Sequence, residues 1–317
     1  MRTEINGNVT VVYPDELVAA FARNPITVEG YTGTAIELIV TGGIKTMREK
    51  RSLFGDGCFF DLSYYLQMLF SDMFPDVDYT AIAANGLSAK CTVTLDFYNG
   101  ITKERSTSFN VVAVWAYQIH AGDEVVKMFE GFPFTVGVVT TNSLDKVSVD
   151  GVETPLNDVG SFNIPMAGEG IVRLIHKVGS TVIISKTIKV VKECSNGIYL
   201  RWIDRTGTYR YWAFKQGNVT TDVNNNDEFI RKNTGTDFGK RRSGKKVGTS
   251  MEVCAPLVDG DTFAFLLEVA VSPVVDMYSE GEWLPVNIEG GSIVRERETR
   301  QDFIVNVVLP DTIVQKL

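Results

Sequence analysis

The sequence predicts a mainly β fold of two or three linked β-sandwich-like domains with one embedded amphipathic helix. Three observations lead there. Short apolar runs with period-two alternation recur along the chain, Gly-containing turn pairs separate them at hairpin spacing, and one segment switches to a helical period. With 317 residues the chain is long enough for two or three cores, and its 44% hydrophobic and 22% charged content is that of a globular protein.

The first strands are VTVVY from Val9, ITVEGY after Asn24-Pro25, and AIELIVTGG, where Ile36, Leu38 and Val40 alternate with Glu37 and Ile39. The period then changes. In DLSYYLQMLFSDMFP the residues Leu62, Leu66, Leu69 and Met73 follow i, i+4, i+7, while Ser63, Gln67 and Ser71 share the opposite face. The spacing predicts a helix over 61–74, with Asp61 capping its start and Pro75 marking its end. Strands resume with CTVTLDFYNG, whose Asn99-Gly100 pair is a hairpin turn into ITKERSTSFNVVAVWAY. These segments make a first domain over 1–118.

From 119 to 193 strand follows strand: FTVGVVTT, KVSVDGVE, GSFNIP, GIVRLIHKVG and STVIISKTIKVVKE. Asp150-Gly151 and Gly179-Ser180 supply turns, as expected of an Ig-like β-sandwich. A third domain, 194–317, opens with two aromatic strands around Arg205-Thr206-Gly207-Thr208. A polar, Asn-rich and basic stretch follows, read as a long loop over 220–249. TFAFLLEVAV, stopped at Ser272-Pro273, fits helix or strand. VVDMY, EWLPVNI, SIVRERE and FIVNVVLP complete the strands, with turns at Glu280-Gly281 and Gly290-Gly291.

Charge and composition narrow the chemistry. A net charge of -8 argues against a general nucleic-acid coat, because phosphate binding needs a basic field. No apolar run reaches the roughly 20 residues that cross a bilayer, and MRTEINGNVTVVYPDE lacks secretory-signal order, so a cytoplasmic site of synthesis and no membrane partner are expected. Cys58, Cys91, Cys194 and Cys254 lie far apart without a CxxC pair and read as buried free thiols. His120 and His176 are the only imidazoles, and His176, within a strand, reads as structural.

Each catalytic pattern fails at a named position. Gly239-Lys240-Arg241-Arg242-Ser243-Gly244-Lys245-Lys246 matches a P-loop until the eighth position, where Lys246 replaces the magnesium-holding hydroxyl. Asp222-Val223-Asn224-Asn225-Asn226 alternates oxygen ligands like an EF-hand loop, but Asp227 stands where Gly is needed and Asn233 where a bidentate Glu is needed. No GxSxG elbow occurs, and the carboxylates are scattered along strands and turns. The chain therefore reads as no enzyme, with no metal site and no cofactor. The remaining candidates are the cations Arg231, Lys232, Lys240, Arg241, Arg242, Lys245 and Lys246, which read as an interface that touches nucleic acid or orders against an acidic neighbour subunit or, alternatively, as a solvated loop.

Four segments together carry a resemblance: Asn24-Pro25-Ile26-Thr27-Val28, Phe60-Asp61-Leu62-Ser63, the pair Tyr199-Leu200-Arg201-Trp202-Ile203 and Tyr211-Trp212-Ala213-Phe214, and Trp283-Leu284-Pro285-Val286-Asn287-Ile288. In combination they resemble distal-tail or baseplate-type structural proteins from tail modules of tailed phages and prophages of gut anaerobic bacteria. The resemblance implies a virion component whose β-sandwich domains assemble as a ring. Its partners would be copies of itself and neighbouring tail proteins, with a host surface glycan as a further partner and no specific nucleic acid. A β-sandwich adhesin or carbohydrate-binding surface protein is the alternative reading.

Overall fold

Residues that alternate β-branched or aromatic with polar side chains take up extended backbone here almost throughout, and the chain is mainly β. The computed structural model describes all residues except 1, 7–8, 14–16, 21, 70–76, 85–90, 113–121, 195–196, 226–227, 233–237, 243, 292, 296–298, 311 and 317. Two compact units form. The first comprises Met1–Val126, Pro133–Val190 and Arg205–Thr208, and the second Lys127–Phe132, Val191–Asp204 and Tyr209–Leu317.

The first unit begins with β1 (Arg2–Asn6), β2 (Val9–Tyr13), β3 (Leu17–Ala19), β4 (Pro25–Glu29), β5 (Ala35–Gly42), β6 (Lys45–Ser52) and β7 (Cys58–Asp61). Then come α1 (Ser63–Met68), β8 (Ala83–Ala84), β9 (Cys91–Asn99) and β10 (Thr102–Val112). They make two sheets, ordered β1-β2-β4-β7 and β3-β10-β9-β5-β6. Alternation places Ile36, Leu38 and Val40 of β5 and Val93, Leu95 and Phe97 of β9 on a buried face. Tyr13 and Phe60, from the other sheet, meet Phe97 edge-on with ring centroids 5.9 and 6.5 Å apart, so the two sheets enclose one core. The Asn99-Gly100 turn joins β9 to β10, with Gly100 at φ 64, a conformation that glycine adopts without a Cβ clash.

The helix differs from expectation in its cap. Leu62 takes the N-cap position, and Asp61 acts from one residue earlier, its Oδ1 accepting from the Ser63 amide at 3.0 Å. Leu66 is fully buried, and Leu69, just past the helix, approaches Gly42 so closely that a Cβ there would sit 2.8 Å from its methyl. The rest of the 61–74 segment, with Met73 and Pro75, lies outside the described residues. The Ser63 hydroxyl and then its amide hold the Asp61 carboxyl below the usual carboxylate range. Stability from this group is thus present above the unfolded carboxylate pKa and lost as pH falls through the lower folded one. Asp61→Ala is expected to lower the melting temperature at neutral pH, with the difference from wild type shrinking on acidification; a gap that persists in acid would contradict the assignment.

Seven further strands follow: β11 (Gly122–Phe129), β12 (Thr135–Thr140), β13 (Lys146–Val149), β14 (Val152–Pro155), β15 (Gly160–Pro165), β16 (Gly170–Val178) and β17 (Thr181–Glu193). Their sheets are β11-β17-β16-β13-β14 and β12-β15-β8, so a strand from the first 118 residues completes the smaller one. Asp150 and Gly151, at φ 47 and 90, form the β13–β14 turn that Asp-Gly predicts. His176 on β16 has its Nδ1 2.8 Å from Oδ1 of buried Asp145, which also accepts a hydrogen bond from Thr140 Oγ1 on β12. The carboxylate is the hub of this group, so it braces two sheets; a nucleophile relay would place the imidazole in the middle.

The second unit contains β18 (Ile198–Ile203), β19 (Tyr209–Asn225), β20 (Glu228–Lys232), β21 (Phe238–Arg242) and β22 (Gly244–Val258). After α2 (Gly260–Val271) come β23 (Val275–Ser279), β24 (Glu282–Ile288), β25 (Gln301–Val308) and β26 (Thr312–Lys316). β19 pairs with β18 through Tyr209–Phe214 and then with β22, and this second pairing closes a ring: β18, β19, β22, β25, β24, β23 and back to β18, antiparallel at every step. The core of this barrel holds Leu200, Trp202, Phe214, Val253, Phe303 and Val305. α2 adds Phe263, Leu266 and Val269, residues three apart that share a helix face.

Three expectations are corrected by these elements. The described residues of 220–249 are strand and not loop, belonging to β19, β20, β21 and β22, because backbone pairing needs no apolar side chains. Residues 293–295 of SIVRERE are not in a strand. All four cysteines are free thiols, but Cys194 is exposed and the other three are half-buried. The open TFAFLLEVAV segment is settled as helix, with Asp259 as an N-cap accepting from the Thr262 amide at 2.8 Å and Ser272-Pro273 at its end.

Candidate interaction surface

The second unit's barrel extends into a long ribbon. Beyond Phe214, residues Lys215–Asn225 of β19 pair with β22 as far as Asn225↔Lys245, a length of about 35 Å at the usual strand rise. Thr220, Thr221 and Val223 favour extended backbone locally. At the irregularity between Gln216 and Val219, Gly217 lies so close to Glu252 that a Cβ would meet its carboxylate at 2.6 Å. β26 covers the other edge of β22 at Gly244–Val247. Among the described residues no strand covers the outer edge of β19 past Phe214. That edge presents backbone N–H and C=O groups in strand spacing, the arrangement that accepts a further strand. Its side chains from Lys215 to Val223 are exposed, including Val219 at 51% and Val223 at 55%.

The seven predicted interface cations fall on β20, β21 and the start of β22 by backbone position. Arg231 and Lys232 end β20, opposite Gly239 and Phe238; Lys240, Arg241 and Arg242 occupy β21, opposite Ile230, Phe229 and Glu228. The structure therefore brings five of them onto one hairpin. Lys245 and Lys246 are on β22, opposite Asn225 and Asn224, in a different sheet. Strands on both sides of position 243 replace the strand-loop-helix that a P-loop requires, and β19 runs through Asp222 to Asn225 where an EF-hand loop would have to turn. His120 lies outside the described residues.

Sequence reasoning missed a buried ion pair at the barrel wall. Arg201 Nε donates to Asp276 Oδ2 at 2.7 Å, with the two residues 4% and 7% exposed, and its guanidinium lies 4.7 Å from the Tyr209 ring and 4.3 Å from the Trp283 ring. Tyr199 stacks on Phe132 and Tyr211 beside it, at 4.4 and 5.9 Å. The available signal was an arginine inside the otherwise apolar YLRWI, a position where a cation must have a partner.

The four segments that carry the resemblance fall into two packed sets. β4 pairs with β7, and the Leu62 amide donates to Asn24 O at 2.9 Å; β18 pairs with both β19 and β23, and β23 pairs with β24. They are framework residues. Among the described residues no cluster of His, Cys, Asp or Glu could hold a metal ion, and no helix is long and apolar enough to cross a membrane. No protein-family model matches the chain, and no curated protein matches it.

Proposed function

We propose that the chain is a structural component of a phage tail or similar virion assembly, made in the bacterial cytoplasm and built into a ring or baseplate-like oligomer through its β-domains. The uncovered edge of β19 carries this reading, because a long, exposed edge with no proline and two surface valines is a template for pairing with another chain. Charge supports a second copy as the partner. Residues 228–246 hold the seven cations against Glu228 and Asp237, a net of +5, which leaves -13 on the remainder of a chain that totals -8. A basic ribbon docking on the acidic remainder of the next copy is a head-to-tail contact, the type that closes into rings. Neighbouring tail proteins would occupy the ring's faces. The role needs no cofactor and no catalytic step.

Mass measurement across the micromolar range and particle imaging test the proposal. Wild type is expected to form closed oligomers that high salt weakens. Val219→Glu combined with Val223→Glu, which places like charge against the acidic partner, should abolish them while changing stability by no more than about 0.5 kcal/mol, since both side chains are on the surface. Replacing 226–244 by Asn-Gly keeps the Asn225↔Lys245 pair and removes five of the cations, and should also prevent assembly. A wild-type protein that stays monomeric, or variants that assemble normally, would sink the idea.

A further inference from the structure

We propose that a cleft in the second unit binds a carboxylate-bearing monosaccharide of the hexuronate class. The cleft measures about 340 Å³, at the small end of the range for small-molecule sites and adequate for one sugar ring with some water. Its lining includes Lys127, Lys215 and Arg300 against the carboxylates Glu193 and Asp259. Glu193 is occupied by Lys127 at 3.2 Å. Asp259 caps α2 through the Thr262 amide, and that bond, with Arg300 nearby, holds its carboxyl below the usual range. Lys215 and Arg300 make no ion pair among the described residues, so the cleft retains positive charge for an incoming carboxylate.

The remaining walls favour a sugar over a bare anion. The carboxylates of Glu193 and Asp259 accept from hydroxyls, which a sugar offers at several positions and a bare carboxylate such as acetate does not. Trp212 is held rigidly, with Lys127 5.2 Å over its ring and Phe129 and Phe265 at 5.4 and 6.1 Å, and so forms a pre-organised wall.

The same cleft is also lined by strained backbone at Pro256-Leu257. Ala255 faces Phe303 and Val258 faces Gln301, so Pro256 and Leu257 bulge against the single residue Asp302, whose Oδ1 accepts from the Leu257 amide at 2.8 Å. Leu257 stands at φ 51 with 66% of its surface exposed. A mostly exposed leucine in left-handed backbone is an outlier of the kind found where a ligand supplies the missing contact. The apolar edge of a pyranose would cover it.

Titration calorimetry with glucuronate, glucose and acetate on the full chain tests the assignment. Saturable binding of glucuronate is expected, at least tenfold tighter than glucose or acetate, and weakened at least tenfold in the Lys215→Ala, Arg300→Ala double variant. Both replaced side chains are exposed, and an unchanged melting temperature would show that the variant is folded. Absence of saturable glucuronate binding, equal binding of acetate, or a folded double variant that binds as wild type would each overturn the proposal. The cleft meets the β19 edge only at Lys215 and is read by ligand titration on wild type, so the absence of glucuronate binding leaves the oligomer measurements untouched.

Discussion

Asp276→Ala is expected to destabilise the second unit by about 3–5 kcal/mol, because it strips the buried Arg201 guanidinium of its carboxylate while Tyr209 and Trp283 keep it enclosed. Urea unfolding followed by tryptophan fluorescence reads this directly, since Trp202, Trp212 and Trp283 all belong to that unit. The comparison that isolates the ion pair is Arg201→Leu with Asp276→Leu. Removing both charges together should restore most of the loss, as the desolvation of two ions is then avoided as well. A loss under about 1 kcal/mol for Asp276→Ala would mean that the pair is neutral in energy and that the other contacts of Arg201, the aromatic rings among them, hold it.

Leu66→Asp should have an effect of similar size, about 4 kcal/mol, in the first unit. Leu66 is fully buried, on a helix of six residues that is tied to β6 by Tyr65 OH donating to Glu49 Oε2 at 2.8 Å. So short a helix has little stability of its own and depends on its apolar contacts. The milder Leu66→Ala should cost about 2–3 kcal/mol through the cavity alone. Calorimetry checks both, and a wild-type melting temperature for Leu66→Asp would contradict the burial of this face.

Much of the fold was legible where a local signal coincides with a local structure. Asn99-Gly100, Asp150-Gly151 and Glu280-Gly281 each form the turn their composition predicts, with Asp150 and Glu280 at positive φ beside their glycines. Strand β5 buries every second residue as its pattern requires. Legibility ended where periodicity has two solutions or none. TFAFLLEVAV is apolar on too many positions for its period to decide, and the choice came from the Asp259 cap and from Phe263, Leu266 and Val269 reaching the barrel core. The ribbon was illegible for the opposite reason: both faces of β19 from Lys215 to Val223 are exposed, so no alternation of side chains marks it.

The interaction surface divides in the same way. Its seven cations could be named from composition, but their partition between the β20–β21 hairpin and β22 depends on which strands pair. The Arg201–Asp276 pair joins residues 75 apart, so YLRWI shows that Arg201 needs a partner and not which one; the cleft draws on segments from Lys127 to Arg300 and leaves no trace in any sequence window.

By itself, then, the sequence determined the β class, the hairpin turns, the free thiols and the basic run, since each rests on interactions between residues close in the chain. Only the tertiary structure decided that β19 turns from β18 to β22 to close a barrel and, among the described residues, leave an edge uncovered. The physical reason is that a strand's partner is chosen by backbone hydrogen bonds and burial shared with distant segments, and those energies appear only once both strands are in place.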